Sequence, residues 1–314
     1  MNYEDQKVLV TGGYGFIGTR LAMRLAQMGA SVVSPSRGRC DLTKREDAEA
    51  MIWAERPDVV FHLAGKVAGI EENSTRPTKF MTENLLMGIN IVEASLKYGV
   101  KRFVNLGSAC SYPKHVEVPV LEEELHEGYP EETNGAYGIA KRTIVDLCET
   151  VRKSGRMDSI SVISANCYGP GDTSHHVIPD LIAKFLCAAR TEASEVVVWG
   201  SGEPTRDFLY VDDLVDGLTV AGAMYRGEGP VNLGSDSETS IKELASIISR
   251  AVGYRGNIRF DASKPDGQAR RLLDIENAVR SFGFKPITRL EEGIEKTVRW
   301  IEKEQEKGCG TQKV

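Results

Sequence analysis

The chain lacks a basic excess. Its 39 Lys and Arg are outnumbered by 45 Asp and Glu, a formal net charge of −6, whereas a nucleic-acid-binding surface usually carries surplus positive charge. No nucleic-acid partner is expected. Local anion binding is still open, because a helix N-terminus and a few arginines can hold phosphates. The sequence also lacks an apolar run long enough to span a bilayer, so no membrane partner is expected. The N-terminal MNYEDQKVLV carries acidic residues and runs directly into a strand pattern, unlike a secretory signal. Paired cysteine spacings are missing too. Cys40, Cys110, Cys148, Cys167, Cys187 and Cys309 are scattered, which argues against a zinc site or a disulfide framework. Reduced thiols and a cytoplasmic location are the expectation. Aromatics are only 7% of the residues, but 41% are hydrophobic and 27% charged, as in an ordinary globular protein.

What is present is alternation. Strand patterns at Lys7–Thr11, Ser31–Ser34, Asp58–Ala64, Arg102–Ser108 and Ser159–Ala165 alternate with helical patterns at Phe16–Met28, Lys44–Glu55, Asn84–Tyr98 and Ala136–Ser154. This order predicts an α/β fold, a doubly wound parallel sheet of Rossmann type. After about Cys167 the elements shorten and turn-rich pieces intervene. Val196–Trp199 and Asn257–Phe260 read as strands, and Val211–Tyr225, Ser240–Val252 and Arg289–Glu304 as helices. Residues 1–167 are thus expected to form a nucleotide-binding domain. Residues 168–314 are expected to form mainly a smaller substrate-binding cap, with some elements returning to the first domain. The polar tail Gln305–Val314 is expected to fray.

The first strand and helix are joined by Thr11-Gly12-Gly13-Tyr14-Gly15-Phe16-Ile17-Gly18. Gly12 can take a tight turn, Gly15 leaves room for a pyrophosphate at the helix N-terminus, and Gly18 lets the helix lie close to the sheet. The glycine pattern alone is weak evidence, but here it sits at the strand–helix junction the mechanism requires. At the end of the second strand an NAD site usually has a carboxylate. This sequence has Arg37 and Arg39 instead, and an arginine pairs bidentately with a 2′-phosphate. NADP is therefore expected, with Arg37 the better candidate and Asp41, Leu42 and Ala64 nearby.

Tyr137 and Lys141 stand four apart in AYGIAK, on one helix face. An ammonium beside a phenol is expected to bring its pKa down from about 10, making Tyr137 the proton donor to a carbonyl undergoing hydride transfer. Ser108 ends the fourth strand, at the sheet edge where ligands bind, and can hydrogen-bond the same oxygen.

TGGYGFIG, Ser108, YGIAK and RDFLYVDD resemble the extended short-chain dehydrogenase/reductases. AGKVAGI (Ala64–Ile70), GSACSYPK (Gly107–Lys114), HVIPDLIAKF (His176–Phe185), VVVWGSGEPTRDFLYVDD (Val196–Asp213) and FDASKPDGQARRLLD (Phe260–Asp274) narrow the similarity to the GDP-L-fucose synthase family. The resemblance implies epimerisation of GDP-4-keto-6-deoxy-D-mannose at carbons 3 and 5, then reduction of carbon 4 with NADPH. It implies Cys110 and His176 as the acid–base pair, Lys184, Trp199, Arg206 and Asp266 as substrate contacts, no metal, and a homodimer formed through Asn84–Tyr98 and Ala136–Ser154. Three departures stand out: the segment Gly169–His176 is short, GSAC replaces GSSC, and no proline precedes Tyr137. They leave open another GDP-4-keto sugar, a dideoxyhexose or heptose. A non-reducing NAD(P)-dependent epimerase or dehydratase is the remaining alternative.

Overall fold

A computed structural model describes residues 3–310 except 68, 175 and 265. Ala68 of the AGKVAGI segment, His175 beside His176, and Pro265 of the FDASKPDGQARRLLD segment thus lie outside the described residues, as do 311–314. In chain order the elements are β1 (Lys7–Thr11), α1 (Phe16–Gln27), β2 (Ser31–Val33), α2 (Arg45–Glu55), β3 (Val59–His62), α3 (Ile70–Thr75), α4 (Pro77–Lys97), β4 (Arg102–Ser108), α5 (Gly135–Lys153) and β5 (Asp158–Ser164). They continue with β6 (Asn166–Tyr168), α6 (Val177–Arg190), β7 (Glu195–Trp199), β8 (Thr205–Arg206), β9 (Phe208–Tyr210), α7 (Val211–Met224), β10 (Val231–Leu233), β11 (Thr239–Ser240), α8 (Ile241–Val252), β12 (Asn257–Asp261), α9 (Glu276–Phe282) and α10 (Leu290–Gly310).

Six strands form one parallel sheet in the order β10-β5-β4-β3-β1-β2. Side chains alternate between its faces, as the two-residue period of a strand requires. Val8, Val10, Val59, Phe61 and Val104 enter one apolar core with Leu21 and Leu25 of α1 and Leu214 and Leu218 of α7. Leu9, Val60 and Phe103 enter a second core on the opposite face, with residues of α2, α4 and α5. Strands buried on both faces read as continuous apolar runs, which is why these strands are plain in the sequence. A third core joins α6, α8 and α10 to β7 and to Tyr168, Phe208 and Tyr210. The chain winds in opposite directions from β1 to β2 and from β1 to β3, so the switch point lies at the carboxyl ends of β1 and β3.

Three expectations change. The helix predicted from Asn84 begins at Pro77; proline is well suited to the first helical turn, where its missing N–H has no intrahelical partner to lose. The final helix continues through 310, so residues 305–310 are helical instead of frayed. The sequence pattern did not separate α6, α9 and the strand β10, which returns to the main sheet beside β5. Among the described residues no helix is long and apolar enough to cross a membrane, and no group of His, Cys, Asp and Glu could hold a metal ion.

Candidate active site

The glycine turn is shaped by close approach. Gly12 has φ +70°, and a Cβ there would lie 2.8 Å from the backbone N of Ala64, just beyond β3. A Cβ on Gly18 would lie 2.1 Å from Gly12 O, so only glycine lets α1 rest against the turn. A Cβ on Gly15 would meet nothing but Gly12 O, at 3.2 Å. No side chain caps the first turn of α1, which leaves its leading amides, at Phe16, Ile17 and Gly18, available to an anion. Thr19 Oγ1 donates to the carbonyls of Gly13 and Gly15 and stiffens the turn. This is a cradle that a dinucleotide pyrophosphate fits.

Of the two arginines, Arg39 is engaged with Glu55 at 3.2 Å. Arg37 is exposed, with a long 3.8 Å ion pair to Glu83 and its charge also felt by Asp41, so it is the freer of the two to meet a 2′-phosphate. Asp41 Oδ1 accepts hydrogen bonds from Thr43 N and Oγ1, which hold its carboxyl below the usual range. Leu42 points its side chain into the core behind the sheet, and its carbonyl accepts from Asn90 Nδ2 at 2.9 Å. Ala64 N donates to Thr11 Oγ1.

Tyr137, Ser108 and Cys110 come together because α5 presses against the turn after β4. A Cβ on Gly138 would lie 2.2 Å from Cys110 O, and Arg142 on the same helix donates to the carbonyls of Ser111 and Gly128. Ser108 Oγ caps the short turn by accepting from Cys110 N at 3.2 Å, and it is hydrogen-bonded to Tyr137. Gly138 and Arg142 went unremarked in the sequence, although the YGIAK motif contains one and is followed directly by the other.

The expected lowering of the Tyr137 pKa by Lys141 is not found. Burial raises it, Cys110 adds to the rise, and the Ser108 hydrogen bond only partly opposes them. The reason is the burial of the phenol itself; Lys141 is buried too, without a carboxylate partner among the described residues. Its own pKa is pushed down to about 8 by burial, and Cys148 opposes the shift only partly. Tyr137 therefore keeps its proton at neutral pH, as a donor must. Lys141 also bears on His62 at the end of β3. Burial and the Lys141 charge push His62 down to about 3, so it is a neutral imidazole bonded through Nδ1 to Thr11 Oγ1 at 2.8 Å.

The Cys110 thiol sits beside two cations. Arg271 Nη1 donates to Cys110 Sγ at 3.5 Å and Asn134 Nδ2 donates at 3.3 Å. Arg206 is close to both Cys110 and Arg271. Its pKa is lowered to about 10 by burial and by the Arg271 charge, with Cys110 among the groups opposing the shift. Arg206 Nη1 donates to Thr205 O and Gln268 O, each at 2.7 Å. The other expected substrate contacts gather at the ends of β7 and β12. Trp199 is 66% exposed, with Lys184 Nζ 5.9 Å and Lys264 Nζ 5.3 Å from its ring centre. Lys184 Nζ also donates to Val197 O. Asp266 Oδ1 accepts from Ser201 N at 2.6 Å and fixes the turn after Trp199. His176 stands exposed immediately before α6. It makes no side-chain hydrogen bond or ion pair among the described residues, so the structure does not join it to the Cys110 group.

This uncapped glycine turn at a sheet switch point, with a Ser–Tyr–Lys group at the carboxyl end of β4, defines a class of nucleotide-dependent enzymes. The chain belongs to the NAD dependent epimerase/dehydratase family, whose model matches residues 8–234. Within it, the similarity is to GDP-L-fucose synthases. The chain is 41% identical to the probable GDP-L-fucose synthase 1 of Oryza sativa subsp. japonica, over 94% of this chain and 91% of that one. It is 41% identical to the GDP-L-fucose synthase of Sinorhizobium fredii, over 94% and 95%. Among solved structures, a GDP-L-fucose synthetase from Naegleria fowleri bound to NADP superposes with a TM-score of 0.86 at 32% identity, covering 96% of each chain.

Proposed function

We infer that this protein is an NADP-dependent GDP-4-keto-6-deoxy-D-mannose 3,5-epimerase/4-reductase that forms GDP-L-fucose. The observation that carries this reading is the pairing of two kinds of chemistry at one strand end: a thiol on Cys110 beside the Ser108–Tyr137 pair. A ketone acidifies the hydrogens on its neighbouring carbons, so a base at Cys110 can remove one and a second group can return a proton from the other face. His176 is proposed for that second role. A simple reductase has no need of this thiol.

NADPH supplies hydride to carbon 4 when bound. The amides of Phe16, Ile17 and Gly18 would face its pyrophosphate, Arg37 its 2′-phosphate, and Lys141 its nicotinamide ribose. Ser108 orients the carbonyl oxygen of the sugar, and Tyr137 gives that oxygen its proton. Residues 1–167 are proposed as the cofactor-binding domain and 168–314 as mainly the substrate domain, with β10 returning to the first. Trp199, Lys184 and Asp266 are proposed to receive the nucleotide end of the substrate, and Arg206 its pyrophosphate. A homodimer through α4 and α5 and a cytoplasmic location are part of the same proposal.

The test uses purified protein with GDP-4-keto-6-deoxymannose and NADPH in deuterated water, with the product read by NMR. GDP-L-fucose carrying deuterium at carbons 3 and 5 is expected. Cys110→Ser and His176→Asn should each lose deuterium at one or both positions while still binding NADPH. Tyr137→Phe should abolish NADPH oxidation and leave exchange intact. A product reduced at carbon 4 without deuterium at either neighbour would make the protein a 4-keto reductase only.

A further inference from the structure

Arg271 is an arginine in the core of the site with no counter-ion. It is 9% exposed, and among the described residues it forms no ion pair. What holds it is a neutral amide: Gln268 Oε1 accepts from Arg271 Nε at 3.1 Å and Nη2 at 2.5 Å. The same Gln268 donates through Nε2 to Lys114 O at 3.1 Å, and its backbone carbonyl receives Arg206. Asp207 anchors the segment two residues further on, accepting from Leu273 N with one carboxylate oxygen and from Ser235 N and Oγ with the other. The guanidinium is thus held through Nε and Nη2 by one amide oxygen, with its charge left whole. Its third hydrogen bond, through Nη1, goes to Cys110 Sγ. A buried cation without a carboxylate is costly unless something gains from its charge, and the nearest group able to carry a negative charge is this sulfur.

We propose that Arg271 is a positioning residue for Cys110, aiming Sγ at the substrate and stabilising the thiolate that exchanges the proton. Sγ receives two N–H donors from different parts of the chain, Arg271 from the 266–274 segment and Asn134 from the residue preceding α5. A sulfur serving only as a small apolar filler has no use for two donors, whereas a charge-assisted pair favours the deprotonated form. The other groups facing Cys110 are Ser108 and Tyr137, both neutral, and Arg206, a second cation. Glu131 and Asp266 are the acidic side chains that bear on Arg206; Glu131 is engaged with Lys114 at 3.3 Å, and Asp266 accepts from Ser201 N at 2.6 Å. Gln268 is what keeps Arg271 available: a carboxylate there would hold the guanidinium equally well and neutralise it. The inference rests on the reading of Cys110 as a base, and the experiment separates the two.

The measurement is the rate at which iodoacetamide alkylates Cys110 at pH 7, read by peptide mass spectrometry. The exposed Cys187 serves as the internal reference thiol. Deuterium exchange into the keto sugar is followed on the same samples. Arg271→Gln should slow Cys110 alkylation and exchange together by about tenfold or more, in line with the loss of a charge-assisted contact. Arg271→Lys should restore most of both. Gln268→Glu keeps the guanidinium in place but gives it a counter-ion, and should slow both as well. A merely structural Arg271 would tolerate Gln268→Glu, and this variant decides the matter even if Arg271→Gln does not fold. Alkylation at the wild-type rate in both Arg271→Gln and Gln268→Glu, with exchange lost only through a raised KM, would overturn the proposal and make Arg271 a substrate ligand. Should Cys110→Ser exchange deuterium at the wild-type rate, the base reading fails, and the alkylation rates still report whether Arg271 activates the sulfur.

Discussion

Replacing Lys141 by methionine should make the protein more stable while abolishing reduction. Lys141 is 7% exposed, has no acidic partner among the described residues, and is displaced by burial from an ordinary 10.5 to about 8. One pKa unit corresponds to about 1.4 kcal/mol, so holding the ammonium in the apo protein costs about 3 kcal/mol. The sign follows from proton binding. Between about pH 8 and 10.5 the unfolded chain holds the proton and the folded one releases it, so wild-type stability gains from rising pH in that window. The cost is fully present below the folded pKa and relieved by about pH 10.5. Methionine keeps most of the stem that packs in the helix and removes the charge. Urea unfolding of apo wild type and Lys141→Met, each at pH 7 and pH 10, measures this directly. The variant should be more stable by about 2–3 kcal/mol at pH 7, allowing for imperfect packing of the new side chain, with the gap narrowing toward pH 10. NADPH oxidation should fall to background. A variant less stable than wild type at pH 7, or a gap that widens with pH, would refute the reasoning: Lys141 would then be stabilised in the fold by something other than its neutral form.

Arg37→Ala should weaken NADPH binding by about ten- to a hundredfold, the range of a charge-assisted phosphate contact, and leave NADH nearly unchanged; titration of both dinucleotides by fluorescence decides it, and an equal loss for the two would remove Arg37 from the 2′-phosphate. Gly18→Ala places a methyl 2.1 Å from Gly12 O, a backbone atom that cannot step aside. It should lower stability by about 1–3 kcal/mol and impair cofactor binding, read as a drop in Tm and a raised Kd for NADPH. Gly38→Ala makes a useful control, because nothing lies within 4 Å of a Cβ there and its Tm should stay near wild type.

How much of this was legible in the sequence follows from the distance over which each feature is determined. Leu9 and Val10 sit side by side and enter cores on opposite faces, so the strand pattern needed only neighbouring residues. The glycine turn is likewise local: Gly12, Gly15 and Gly18 act on one another and on one adjacent strand. Tyr137 and Lys141 share a helix, so their spacing sufficed to pair them. Their electrostatics did not follow from spacing, because the field at Tyr137 is set by burial under several elements, and the expected lowering of its pKa failed there. The contacts around Cys110 lie further still from any local pattern. Arg271 and Cys110 are 161 positions apart, and Gln268 and Lys114 are 154 apart. No periodicity connects such residues. What makes the Arg271 contact interpretable is a property visible only in three dimensions: an arginine held by an amide where an acid would have served the fold better. That preference for an unneutralised charge, placed against a sulfur and beside a proton donor, points toward chemistry at Cys110 and away from packing.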